Sequence, residues 1–479
     1  MPTNPRVSPD AFRSFPVRST RAVAARLARG VMIISLLAGV AVTSHAVPSF
    51  ARQLNMQCIM CHSEFPVLTD LGRTFKLGGY TMSTQKDMMP VIAAMIEPSF
   101  TSTSAGQPGG AAPGFGNNHN YAMSQASLFY AGRLFGPYAS PLFGESAAGV
   151  LNKIGIFSQF TYDGVAKAWS WDNLDLRFAT TATAGGHTLM WGIDLNNNPT
   201  VQDPWNAIPA WGFPFSGSHL APTPSAAPLI DGGLAQQVAG LSGYAMIDNK
   251  LYVELGAYKT LPSRVQRGLG VDPAGEAELA RPAPYARVAY TRPAAGGSWE
   301  TGLFGLVAST YPGRDASEGT DRVTDIGFDS EFQKSIGAND LTTLVTYIHE
   351  HNRWSASEAL GNTANASGTL NEFKGSIHYL IDKTYGFAAQ YFKVSGSADA
   401  LAYADSPEMS PNSDGVVLEV DYLPFNKGTG PAFWPRSNVK FSVQYTAYNH
   451  FDGSKLNVDG SGRSAKDNNT LYIQAWIVF

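Results

Sequence analysis

The chain has 479 residues, with 34 lysines and arginines against 38 aspartates and glutamates, a net charge of −4, and two cysteines. That acidic balance speaks against nucleic acid as a partner. Both cysteines fall in one pentapeptide, Cys58-Ile59-Met60-Cys61-His62, which concentrates all the sulfur chemistry of the thiols at one place.

Residues 1–30 carry six arginines against a single acid, Asp10, and Gly30 opens the apolar run VMIISLLAGVAV, followed by Ser44-His45-Ala46. A basic start, a short apolar run and a small-x-small site make an export signal, too short to span a membrane. Residues 1–46 are therefore expected to be a signal peptide cleaved after Ala46. Its removal takes six basic and one acidic side chain, so 34 against 38 becomes 28 against 37, a net charge of −9.

In an exported protein two cysteines form a disulfide, bind a metal or carry a haem. C-x-x-C-H is the attachment pattern of haem c: two thioether links fix the porphyrin edge and the adjacent histidine ligates the iron. Zinc would need two further ligands nearby, and a thioredoxin-like pair would need a βαβ context; the neighbouring sequence supplies neither. One covalent haem c is expected on Cys58 and Cys61, with His62 as its proximal iron ligand.

After the motif, Leu68, Leu71 and Phe75 recur at helical spacing beyond Pro66, and Gly78-Gly79 ends the pattern. One short helix is expected, its apolar stripe against the haem. Arg73 and Lys76 are placed either to meet haem propionates or to form a solvated basic face. Met82, Met88, Met89 and Met95 follow, and Met82, Met88 or Met89 is the expected distal ligand, methionine opposite histidine being a cytochrome c arrangement. Residues 47–89 thus form a small α-helical monohaem domain, too short for an independent core and in need of a host cavity.

From residue 90 to 479 the pattern changes to alternation. Leu251, Val253, Leu255 and Ala257 oppose Tyr252, Glu254, Gly256 and Tyr258; Val416, Leu418, Val420 and Tyr422 oppose Val417, Glu419 and Asp421; Ile326, Phe328 and Phe332 oppose Asp325, Asp329 and Glu331. One face suits lipid, and the acidic face is expected to line water. Sixteen such stretches centre near residues 97, 127, 155, 175, 190, 240, 254, 287, 304, 327, 345, 374, 389, 419, 443 and 473. Short links (183–186, 247–250, 293–297, 337–340, 381–384) alternate with long ones (105–120, 196–234, 260–281, 351–367, 396–412, 450–466). The expected fold is a mainly β, roughly 16-stranded antiparallel outer-membrane barrel, with short periplasmic turns and both ends in the periplasm. Three links break the alternation: 164–168 is short where it should be long, and 135–147 and 426–435 are the reverse. The last strand, LYIQAWIVF, places Leu471, Ile473, Ala475, Ile477 and the terminal Phe479 on one face, as in the assembly signal of bacterial outer-membrane barrels.

The two halves together resemble the fused monohaem cytochrome-porin family of outer-membrane iron oxidases. The likeness is close over about thirty-five residues, through Phe50-Ala51-Arg52-Gln53, the haem motif, Phe65-Pro66, Gly72-Arg73, Phe75-Lys76 and Gly79-Tyr80; over the barrel it is one of architecture and length. It implies a cytochrome held at or inside the lumen that takes electrons from extracellular Fe(II) and passes them to a periplasmic electron carrier, with Cys58, Cys61 and His62 matching the family's haem residues.

Three functions compete at this stage: an iron(II)-oxidising electron conduit, a conduit for a different extracellular donor or acceptor, and a diffusion porin whose haem senses or gates. Asp325, Asp329, Glu331, Glu419 and Asp421 either concentrate ferrous ions or are an ordinary polar lumen, and His349-Glu350-His351 either binds metal or is merely exposed. The other expected partner is outer-membrane lipid, and a homotrimer is compatible with a barrel of this width.

Overall fold

The computed structural model describes residues 48–83, 92–428 and 437–479. The expected signal peptide, Met88 and Met89 lie outside them. Sixteen long strands alternate in direction along the chain. The first eight are β1 Ile92–Thr103, β2 Asn120–Arg133, β3 Ile154–Asp163, β4 Ala168–Ala184, β5 His187–Asn196, β6 Val238–Ile247, β7 Leu251–Thr260 and β8 Ala283–Ala294. The second eight are β9 Gly297–Tyr311, β10 Asp321–Ile336, β11 Asn339–Arg353, β12 Ser367–Ile381, β13 Tyr385–Gly396, β14 Ser413–Tyr422, β15 Asn438–His450 and β16 Thr470–Val478. Each pairs antiparallel with its chain neighbours, and β16 closes on β1 with Ile473 opposite Phe100 and Val478 opposite Met95. The backbone of Phe479 extends this seam by exchanging hydrogen bonds with Ala94. Each expected strand centre falls within one of these strands.

Two-residue periodicity sorts the side chains as expected. Leu255, Ile326, Leu418 and Val420 face outward and are at least half exposed, while their neighbours Glu254, Asp325, Glu419 and Asp421 point inward. At one end of the barrel Tyr385, Tyr422 and Phe441 form a row of outward aromatics with centroids 5.4 and 6.4 Å apart; Phe160 with Trp169 and Phe100 with Tyr121 do the same at the other end. An apolar band between aromatic girdles belongs in the bacterial outer membrane. Among the described residues no helix is long and apolar enough to cross a membrane; the crossing is made by strands.

Strand parity assigns the links. Those at 185–186, 248–250, 295–296, 337–338 and 382–384 are periplasmic; those at 104–119, 197–237, 261–282, 397–412 and 451–469 start from the outer rim. The three misfits are genuine features of the fold. The link 164–167 is short although it is on the outer side, and 134–153 is long although periplasmic because it folds two helices, Ala139–Phe143 and Glu145–Leu151. The third leaves β14 at Tyr422 and enters β15 at Asn438, both at periplasmic strand ends, and is long by its residue numbers alone.

The lumen is filled. Residues 48–83 form a plug with two helices, α1 Pro48–Leu54 and α2 Asp70–Leu77, and a short antiparallel ribbon joining His62–Glu64 to Val67–Leu68. The outer link 197–237 folds back into the barrel, with Trp205, Ile208, Phe213, Ile230 and Leu234 all buried. Asp325, Asp329, Glu331, Glu419 and Asp421 therefore do not line water as expected from the sequence; each is 3% exposed or less. Alternation reports which way a side chain points but not what packs on it.

A topology test follows. Single cysteines at Ala274 or Ser461, exposed on outer links, should react with a membrane-impermeant maleimide on intact cells, whereas cysteines at Asn249 or Ala338 should react only after the outer membrane is opened. Labelling of the latter pair on intact cells would invert the barrel.

Candidate functional site

The plug is hydrogen-bonded to several strands of the wall. Arg73 of α2 donates to Glu331 Oε1 of β10 at 3.3 Å and to the Leu68 carbonyl at 3.1 Å, and also pairs with Asp70. Gln333 of β10 donates to that same Leu68 carbonyl at 2.9 Å, and Tyr244 of β6 donates through its hydroxyl to the Leu77 carbonyl at 2.6 Å. Tyr80 donates to Asp175 of β4 at 2.5 Å, Arg133 of β2 donates to the Thr81 carbonyl at 2.8 Å, and Arg52 of α1 donates to the Ile92 carbonyl of β1 at 2.5 Å. Backbone packing is equally tight where Gly79 meets the wall: a Cβ at Gly155 of β3 would lie 1.8 Å from the Gly79 carbonyl oxygen.

Between the plug and the wall lies a chamber of ≈ 450 Å³, within the range of small-molecule and cofactor sites. Its far wall is six adjacent strands across the seam, β15, β16 and β1 to β4, and Pro209, Trp211 and Phe215 of the inserted link border it as well. The plug contributes Cys58, Cys61, His62, Leu68, Phe75 and Tyr80. Three expectations meet here. The motif's three chemical groups share one cavity, the helix expected after Pro66 runs from Asp70 to Leu77 with Gly78 at its C-cap, and of the expected apolar stripe Leu68, just before the helix, and Phe75 border that cavity while Leu71 does not.

Local geometry explains how the motif is held. Cys58–Met60 is a single 3₁₀ turn closed by the Cys61 N–H donating to the Cys58 carbonyl at 3.1 Å, which brings both thiols to the cavity without a disulfide. Helix α2 approaches so closely that a Cβ at Gly72 would sit 2.2 Å from the Cys61 carbonyl oxygen, so no other residue fits there. Thr69 caps α2, accepting from the Gly72 N–H, while its hydroxyl donates to the Met60 carbonyl at 2.7 Å. His62 Nδ1 lies 3.3 Å from the Pro66 carbonyl. A carbonyl only accepts, so Nδ1 carries the proton and Nε2 keeps a lone pair. Burial pushes the imidazole down to about 4, outweighing its hydrogen bonds to Pro66 and Val67, and pushes the Cys61 thiol up to about 11. The Phe65 ring packs on that of His62 with centroids 4.6 Å apart.

These residues suit a flat, largely apolar group with one edge fixed by two sulfurs and a central atom that takes a neutral imidazole nitrogen. Other sequence expectations are not met. Met82 is 39% exposed and does not border the chamber; the methionines that do so among the described residues are Met56 and Met95. Neither alternative holds for Arg73, which is used on the barrel wall. Lys76 borders the chamber but is also no solvated face: it donates to the Val201 carbonyl and Asn206 Oδ1, both at 2.7 Å, and burial, then the nearby Arg177 charge, pushes its ammonium down to about 7. His349 and His351 point outward on β11 and Glu350 inward, where it accepts from the Leu229 N–H at 2.6 Å, so HEH is not one site. Among the described residues no group of three or more His, Cys, Asp or Glu side chains is placed to hold a metal ion.

The inserted link's part in the chamber was missed. Its signal was compositional: Trp205, Trp211, Phe213 and Phe215 crowd a stretch with one charge, Asp203, which suits burial better than an outer loop.

No family model and no curated protein matches the sequence. Among solved structures, the fold is similar to the anion-selective porin from Comamonas acidovorans, with a TM-score of 0.42 and 12% identity, covering 81% of this chain and 97% of that one. It is also similar to OmpF of Salmonella typhi in complex with daunomycin (0.41, 9%, covering 81% and 97%). The outer membrane channel DcaP of Acinetobacter baumannii is a third (0.41, 11%, covering 81% and 96%). These are likenesses of the barrel alone.

Replacing Arg73 by methionine should leave Glu331 buried and uncompensated, a loss of about 3–5 kcal/mol. The expected result is a plug that is cut by protease at lower temperature while the barrel keeps its heat-modifiable migration; unchanged protease resistance would remove the ion pair from the account of docking.

Proposed function

We propose that the chamber holds one haem c, attached through Cys58 and Cys61 with His62 as axial ligand, and that the protein conducts electrons across the outer membrane from extracellular Fe(II) to a periplasmic carrier. The observation that carries this proposal is the meeting of all three motif groups on one mostly apolar chamber inside the lumen. Bound there, the group supplies a one-electron couple. The chain's own residues do the rest: His62 offers Nε2 because Pro66 holds the proton on Nδ1, the Phe50, Phe75 and Phe129 side chains exclude water, and Gly72 lets α2 close over the motif.

The packed lumen favours conduction of electrons over diffusion of solutes. Plug and inserted link occupy the space that a diffusion porin keeps open, and their polar atoms are bonded to the wall rather than turned toward a channel. Fe(II) as donor rests on the resemblance of residues 48–80 to the iron-oxidising family, and with Asp329, Glu331, Glu419 and Asp421 held by basic side chains of the wall and plug, the iron reacts from outside by outer-sphere transfer.

Purified protein should carry a haem-staining band on denaturing gels that is lost in the Cys58→Ala, Cys61→Ala double variant. Oxidised protein should be reduced by ferrous iron in stopped flow, and His62→Ala should slow that reduction by more than tenfold with the barrel intact. Haem that stays oxidised in excess ferrous iron but is reduced by another extracellular donor would transfer the role to that donor. Large steady conductance in planar bilayers would instead restore the diffusion porin.

A further inference from the structure

The carbonyl that orients His62 has a second donor. Asn206, on the inserted link, donates through Nδ2 to the Pro66 oxygen at 2.9 Å, closer than the 3.3 Å of His62 Nδ1. Asn206 is itself fixed: it is 6% exposed, its φ of 56° lies in the left-handed region that asparagine tolerates, and its Oδ1 accepts from Lys76 Nζ at 2.7 Å. We infer that Asn206 is a positioning residue that sets the strength of the His62–Pro66 hydrogen bond and, through it, the electron-donating power of the imidazole.

Two donors on one carbonyl oxygen share its electron density, and the shorter bond takes the larger share. Lys76 strengthens Asn206 in that competition, because its N–H donating to Oδ1 polarises the amide and makes Nδ2 the better donor. The His62 bond is left at 3.3 Å, beyond the usual N–H···O range. A weak bond at Nδ1 leaves less negative charge on the ring, so Nε2 donates less to whatever it ligates, and an iron centre there keeps a higher potential. This inference rests on the haem proposal for its redox consequence, but the hydrogen-bond competition exists without haem. It also means that the barrel's inserted link, rather than the plug alone, tunes the site.

Two variants delete the donor: Asn206→Asp, which keeps an acceptor for Lys76, and Asn206→Gly, which accepts the positive φ and adds no charge. In haem-bearing protein both should lower the midpoint potential and move the iron–histidine stretching band of the reduced form to higher frequency, a change that loosened packing alone does not produce. In the haem-free Cys58→Ala, Cys61→Ala background, selectively ¹⁵N-histidine-labelled protein should show the His62 Nδ1–H proton resonance moving downfield in both variants. An Nδ1–H resonance that coincides with that of the parent overturns the inference whether or not haem binds. Absence of haem from otherwise unmodified protein, with the downfield shift present, overturns the haem proposal and leaves the positioning role of Asn206 standing.

Discussion

A closed barrel of sixteen strands is too wide for its own inward side chains to fill, and the ones this chain points inward include many charges. Each buried charge needs a partner, since an unpaired one loses several kcal/mol on leaving water. That requirement organises the interior. Arg287 of β8 is held by Asp329 and Glu300 of the wall and by Asp203 of the inserted link, at 2.7, 3.4 and 3.2 Å. Lys374 of β12 meets Asp231 of the same link at 2.5 Å. Glu331 of β10 meets Arg73 of the plug. The link thus brings acids to basic parts of the wall, and the plug brings a base to an acidic part.

Charge matching of this kind fixes position as well as energy. Hydrophobic contacts tolerate sliding, whereas an ion pair in a dry interior is lost when displaced by an ångström or two. The plug's polar anchors lie on β1, β2, β4, β6 and β10, and the free volume lies between the plug, the inserted link and the strands either side of the seam where β16 meets β1. The motif borders this chamber with α2 pressed on the backbone of Cys61, an approach that only the missing side chain of Gly72 allows.

The arrangement also bears on how the proposed redox centre would serve two compartments. The apolar band of such a barrel is about 25 Å tall, and electron tunnelling falls steeply with distance, so a lone centre must lie within the wall. A plug inside the lumen meets that demand while the inserted link separates it from the outer mouth. In the proposed function, oxidising iron from outside would also keep the ferric product, insoluble at neutral pH, out of the periplasm.

Strand number, strand direction, the lipid-facing set and the helix Asp70–Leu77 were legible in the sequence, because each depends on the local repeat of two or 3.6 residues and on turn residues that stop it. The thiols and imidazole were legible for a similar reason: Cys58, Cys61 and His62 are neighbours in the chain, so a single turn suffices to bring them together. The tertiary structure decided the rest. Leu251 and Asp325 both obey alternation, yet no pattern shows whether an inward face meets water, a plug or a folded-back loop. Arg73 reaches Glu331 across 258 positions, and Asn206 reaches Pro66 across 140. Nothing in the spacing of residues along a chain encodes such meetings; they exist because closing the barrel forces distant segments to share one lumen and to satisfy one another's charges and hydrogen bonds there.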